Sequence, residues 1–206
     1  MKKTQCLLIA GAMGAGKTEF ATALKERLSD LGYTVEMAAF ANPIKWIAKS
    51  FFRWDGEKDA KGRRLLQVIG TEAGREYYED IWVDTLLDWV ENHDDYPLDF
   101  LIIDDWRYEN EYAGIEKNFL YNVHKIYVDR DSSLKDPKYL TGLAHQSENG
   151  LPTPEVSANT VLMDNRDYPD FYDFVVINNF PLDGLKEVSG MMIDLILEDL
   201  INGTSN

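Results

Sequence analysis

Short unbroken apolar runs alternate along the chain with longer stretches in which apolar residues recur at helical spacing. Cys6 to Ala10 is the first such run, and Phe20, Leu24, Leu28 and Leu31 then share one helical face, with Gly32 placed to end the helix. Thr34 to Phe40 predicts a second strand. Asn42-Pro43 opens a helix containing Ile44, Ile47, Ala48 and Phe51, and 53–61 reads as a polar loop. Leu65 to Tyr78 and Ile81 to Val90 predict two helical pieces. Asp99 to Asp105 is the clearest buried strand, followed by Asn122 to Val128 and Phe174 to Ile177. A last helix runs from about Leu185 to Ile201 with Leu185, Val188, Met192 and Leu195 on its apolar face. Strands alternating with helices predict an α/β fold: a five-stranded parallel sheet with helices on both faces. Between the last two strands, 129–170 is polar and weakly periodic, the mark of a functional lid or a disordered insertion.

The turn between the first strand and first helix carries the strongest chemistry. It reads Gly11-Ala-Met13-Gly14-Ala15-Gly16-Lys17-Thr18, a complete phosphate-binding loop in its required strand–loop–helix setting. Glycines let backbone N–H groups approach phosphate oxygens, and the helix that follows favours an anion at its N-terminus. Lys17 reaches the β- and γ-phosphates of a nucleoside triphosphate, and Thr18 offers its hydroxyl to magnesium. ATP and Mg2+ are therefore the expected cofactors. Asp104 and Asp105, at the end of the third strand, are the natural carboxylate partners of that metal. Strand alternation lets only one of the two point into the site. Basic residues also follow strand ends: Lys45 after the second, Arg107 after the third and Arg130 after the fourth, with Arg75 in Gly70-Thr-Glu-Ala-Gly-Arg75. Together they predict a cationic cup for phosphoryl transfer.

Charge narrows the partners. A net charge of −15 repels polynucleotides, so small nucleotides are the expected ligands. No run of about 18 apolar residues exists to span a membrane. The single cysteine, Cys6, reads as a buried hydrophobe and suits a reducing cytoplasm. Met-Lys-Lys-Thr before an apolar run superficially suggests a secretory signal, but the run is short and passes directly into the phosphate loop. Phe40, Trp46, Phe51, Phe52, Trp54, Tyr77, Tyr78, Trp82 and Trp106 are expected mostly in the core, with one or two stacking on a base. Aromatics left exposed would suit a homodimer. His93, His124 and His145 have no companions at zinc spacing.

In order along the chain, Gly11 to Thr18, Phe40-Ala-Asn-Pro-Ile-Lys45, Leu66-Gln-Val-Ile-Gly-Thr-Glu-Ala-Gly-Arg75 with Trp82, Asp105-Trp-Arg-Tyr-Glu-Asn-Glu111, His145-Gln-Ser-Glu148 and Val176-Ile-Asn-Asn179 resemble the bacteriophage and bacterial deoxynucleoside monophosphate kinases. The resemblance implies a P-loop kinase fold in a single domain. Its core would be 1–40, 96–130 and 171–206, with an acceptor-binding helical region at 41–95 and a lid at 131–170. It also implies transfer of the ATP γ-phosphoryl group to a deoxynucleoside monophosphate. Lys45 and Arg75 would face the acceptor phosphate, with Phe40, Thr71, Glu72 and Trp82 near the acceptor nucleoside. Lys17, Asp105, Arg107 and Arg130 would form the catalytic group, and Thr18, Asp104 and Asp105 the metal group. After Ile177 the chain reads Asn-Asn-Phe-Pro, where the family commonly has a glycine. Two alternatives share the phosphate loop: a kinase of another small acceptor such as dephospho-coenzyme A, and a nucleotide-dependent switch or ATPase.

Overall fold

The computed structural model describes residues 3–92, 97–131, 151–152, 154, 162–164 and 171–203. Six strands form one sheet: β1 (Thr4–Ala10), β2 (Val35–Ala38), β3 (Phe100–Ile103), β4 (Tyr121–Asp129), β5 (Leu162–Asp164) and β6 (Phe174–Ile177). Their order is β2-β3-β1-β4-β6-β5, with β5 alone antiparallel. All five expected strands are present and mutually parallel. The three-residue β5 falls inside the stretch expected as a lid, and the rest of that stretch lies outside the described residues except 131, 151–152 and 154. His93 and His145 also lie outside them.

Strand alternation makes two cores from one sheet. Leu7 and Ile9 of β1 pack with Phe20, Leu24 and Leu28 of α1 (Lys17–Asp30) and with Val188, Met192 and Ile196 of α6 (Leu182–Gly203). Cys6, Leu8 and Ala10 face the other way. They meet Ile44 and Ala48 of α2 (Ala41–Phe52), Trp82 and Val83 of α4 (Ile81–Glu91), and Ile115 of α5 (Glu109–Glu116). Burial of Cys6 pushes its thiol pKa well above the usual value, so it stays a protonated small hydrophobe.

Helix boundaries depart from expectation in informative places. α1 ends at Asp30; Leu31 is exposed at the cap and Gly32 follows at φ 87°. The helical stretch expected from Leu65 begins instead at Ala60 as α3 (Ala60–Gln67), because Asp59 accepts the Gly62 N–H at 2.6 Å and caps it. It then widens into a π-helix over Val68–Arg75. Of the aromatics expected in the core, Phe40, Trp82 and Trp106 are buried, whereas Trp46, Phe51, Phe52, Tyr77 and Tyr78 are exposed. No described helix is long and apolar enough to cross a membrane.

β1 lies between β3 and β4, the place where the chain's course through the sheet changes side. In open α/β sheets the crevice beyond the C-terminal strand ends at such a point receives ligands. Here the loop after β1, Asp104 after β3 and Arg130 after β4 converge on one cleft.

Candidate active site

Beyond Ala10 the backbone makes a turn that side chains would block. Gly11 has φ 143°, and a Cβ there would lie 2.2 Å from the Val128 carbonyl oxygen of β4. Gly16 has φ 89°, and its Cβ would meet Asn178 Nδ2 at 2.2 Å. That amide donates to Ala15 O at 2.8 Å, fastening the loop to the end of β6. Gly16 stands at the N-cap of α1 with no side-chain cap hydrogen bond, at a helix start that favours an anion. Lys17 Nζ donates to Gly11 O at 2.7 Å and Ala12 O at 3.0 Å, folded back over the loop.

The adjacent aspartates after β3 diverge as the strand period requires. Asp104 Oδ2 accepts from Thr18 Oγ1 at 2.6 Å. Asp105 instead accepts from the N–H groups of Phe40 at 2.9 Å and Ala41 at 3.0 Å, at the start of α2. Burial raises the Asp105 carboxyl above its ordinary value, the Ala41 amide opposes the rise, and the Asp104 charge adds to it. Of the residues expected to serve magnesium, the structure joins Thr18 with Asp104, while both Asp105 oxygens are engaged by backbone. Among the described residues no group of three or more His, Cys, Asp or Glu side chains could enclose a metal. A cation here would rest on Thr18, Asp104, water and the phosphates themselves, a donor set that fits magnesium.

The cleft has a volume of about 1290 Å³. Met13, Gly14, Gly16, Lys17, Thr18 and Asn178 line its loop side. Phe40, Lys45, Thr71, Arg75, Arg107 and Arg130 line the remainder. Four expected residues do not reach it. Gly11 and Ala15 shape the loop from behind. Glu72 is turned outward and pairs with Arg64 at 2.5 Å. Trp82 is buried under the π-helix, donating from Nε1 to Gly70 O at 2.8 Å.

Arg75 is held on two sides in the cleft. Its Nη2 donates to Glu111 Oε1 at 2.6 Å, and its guanidinium lies over the Tyr108 ring at 4.2 Å. Glu111 is 1% exposed, and its other oxygen accepts from Arg107 N at 2.8 Å and Tyr108 N at 3.1 Å. Burial pushes the Glu111 carboxyl up to about 7, against the opposing charge of Arg75. Arg75 Nη1 and Arg130 Nε are buried with no hydrogen-bond partner among the described residues. Such unmet donors are costly unless a ligand completes them.

Sequence reasoning did not single out Glu111, Asn178, Lys58 or Arg63, all of which line the cleft. For Glu111 a signal existed: a Glu three residues after Tyr108, where it can accept from the N–H groups at a helix start. For Asn178 no local signal exists, since its partner Ala15 is far away in sequence.

No family model matches the chain, and no curated protein does. Among solved structures it is similar to an unliganded sugar kinase from Janibacter sp. HTCC2649, with a TM-score of 0.51 and 15% identity over 93% of this chain and 95% of that one. It is also similar to the APS kinase of Mycobacterium tuberculosis in complex with AMPPNP and APS. There the TM-score is 0.50 and the identity 10%, over 95% and 99% of the two chains. Likeness at these identities concerns architecture: the chain has a P-loop kinase fold, α/β with five parallel strands.

Proposed function

We propose that the protein is an ATP-dependent kinase that phosphorylates the phosphate group of a deoxynucleoside 5′-monophosphate, giving the diphosphate. One observation carries the reading: Arg75, pinned by Glu111 and Tyr108, presents a buried and unpartnered Nη1 in the same cleft as the phosphate loop. A phosphate acceptor needs cations, whereas a hydroxyl acceptor is helped by a general base. Asp105 and Glu111, the carboxylates beside the acceptor side chains, are engaged by amide and guanidinium donors. That arrangement favours a phosphate over the hydroxyl of a dephospho-coenzyme A-like acceptor. A simple nucleotide switch would have no use for the additional arginines.

In this mechanism the open amides of α1 and the loop hold the β- and γ-phosphates of ATP. Lys17 exchanges the carbonyls of Gly11 and Ala12 for phosphate oxygens. Thr18 and Asp104 would hold magnesium, which when bound neutralises charge on the β- and γ-oxygens. Asp105 fixes the start of α2 and so positions Lys45. Arg75, Arg107 and Lys45 orient the acceptor phosphate for in-line attack, and Arg130 meets charge on the transferring group. No covalent enzyme intermediate is required. Labelled ATP with magnesium, offered against a panel of deoxy- and ribonucleoside monophosphates, tests the assignment. Label should appear in at least one deoxynucleoside diphosphate; hydrolysis alone, across the whole panel, would overturn it.

A further inference from the structure

The segment between α2 and α3 is built rather than loose. α2 ends at Arg53 with φ 53°, and Trp54 N then donates to Ala48 O at 3.1 Å. Trp54 Nε1 donates to Glu57 O at 2.8 Å, Glu57 N to Asp55 Oδ1 at 2.9 Å, and Arg63 Nε to Lys58 O at 2.9 Å. Asp59 caps α3 through Gly62 N. At Gly62 a Cβ would stand 2.1 Å from Glu57 O and 2.7 Å from Trp54 Nε1, so the knot closes only around a glycine. What this knot delivers to the cleft is two cations, Lys58 and Arg63.

Neither cation has a salt bridge among the described residues, in a chain with 36 acidic side chains against 21 basic ones. Neighbouring Arg64 shows the ordinary outcome, turned outward onto Glu72. Lys58 instead stands among like charges. Partial withdrawal from water, then the charges of Lys45, Arg63 and Arg107, push its ammonium below the usual lysine value, with Asp105 opposing. Lys58, Lys45, Arg63 and Arg107 repel one another, Asp105 opposes that repulsion at Lys58, and a dianion placed among the cations relieves it further.

Resting on the kinase assignment above, we infer that Lys58 and Arg63 form a second grip on the acceptor's phosphate, closing on it together with Lys45 and Arg107. The ligand class is a phosphate monoester dianion. Arg75 holds it from a fixed wall, and the 54–63 knot supplies exposed side chains able to follow it as it moves toward the donor. The free nucleoside, which lacks the anion, gains nothing from this grip.

Calorimetry on Lys58→Gln, Arg63→Gln and the double variant tests the grip, using deoxynucleoside monophosphates, the matching nucleosides and a non-hydrolysable ATP analogue. Both side chains are exposed, and Lys58→Gln removes no hydrogen bond of the knot, so misfolding cannot mimic its effect. Monophosphate affinity should fall about tenfold per side chain, the weight of one charge-assisted hydrogen bond. Nucleoside and ATP-analogue affinities should stay unchanged. Variants that bind the monophosphate as tightly as the parent overturn the inference, and so does an equal loss for the ATP analogue, which would make the grip a donor contact. A parent protein that binds no monophosphate at all sinks the kinase assignment as well, an outcome separate from parent binding that the variants retain.

Discussion

At the loop side of the cleft the groups placed to hold an anion are backbone amides; across from it they are side chains drawn together from distant parts of the sequence. The loop needs only glycines at φ 143°, 77° and 89°, a strand to leave and a helix to enter. The acceptor side depends on pairings such as Arg75 with Glu111 and Asp105 with Phe40 and Ala41, 36 to 65 residues apart. The first arrangement is local and recurs wherever its motif occurs. The second exists only when the whole fold is assembled, and on the proposed kinase reading that is where selectivity between acceptors lies.

If this division is right, damage on one side should spare the other. Lys17→Ala should reduce turnover by roughly 10²–10³-fold, the range for losing one preorganised charge-stabilising donor. The far-ultraviolet circular dichroism should be unchanged, and normal turnover would end the loop's assigned role. Next in size, Arg75→Ala should weaken the monophosphate by roughly 10²-fold while ATP binding moves little, since the change also strands the buried Glu111 carboxylate. Equal losses for both substrates in steady-state kinetics would erase the distinction drawn here.

Glu111→Gln sharpens the comparison through pH. With its carboxyl raised to about 7 by burial, Glu111 gives up its proton as pH rises through that value, and the ionised form grips Arg75 more strongly. Acceptor KM should therefore fall as pH rises through about 7, beyond what ionisation of the acceptor itself accounts for, and Glu111→Gln should remove that extra slope. ATP KM should show no such slope in either protein. The smallest effect is expected from Trp82→Phe, which removes the indole hydrogen bond to the Gly70 carbonyl under the π-helix. A stability loss of about 0.5–1.5 kcal/mol in urea unfolding, with ATP affinity retained, is the expected result.

The same division explains what could be read in the sequence. β1 and β3 were legible because Cys6 to Ala10 and Phe100 to Ile103 are apolar without interruption, as suits strands covered on both faces. The loop was legible because its glycines are required by its own backbone. α5 was missed because its eight residues bury only Glu111 and Ile115, too few for a periodic signal. β5 was missed because three residues cannot establish alternation. Glu111 stands at a capping position that the sequence offers, three residues after Tyr108, but nothing local announces that Arg75 faces it. Trp46, Phe51 and Phe52 misled in the opposite direction, since apolar character does not reveal whether a partner element exists to cover them.

The π-helix at Val68–Arg75 limits how this chain can vary in length. A wide turn accommodates a residue that a regular α-helix would not, and here it ends on Arg75. Deleting one residue within it would permit tighter i→i−4 bonding, yet would swing everything downstream by about 100° around the axis. Arg75 would then leave the wall it shares with Tyr108 and Glu111. On the proposed kinase reading such a chain would keep its phosphate loop and lose the wall that holds the acceptor, so this irregularity ties the length of the segment to acceptor binding.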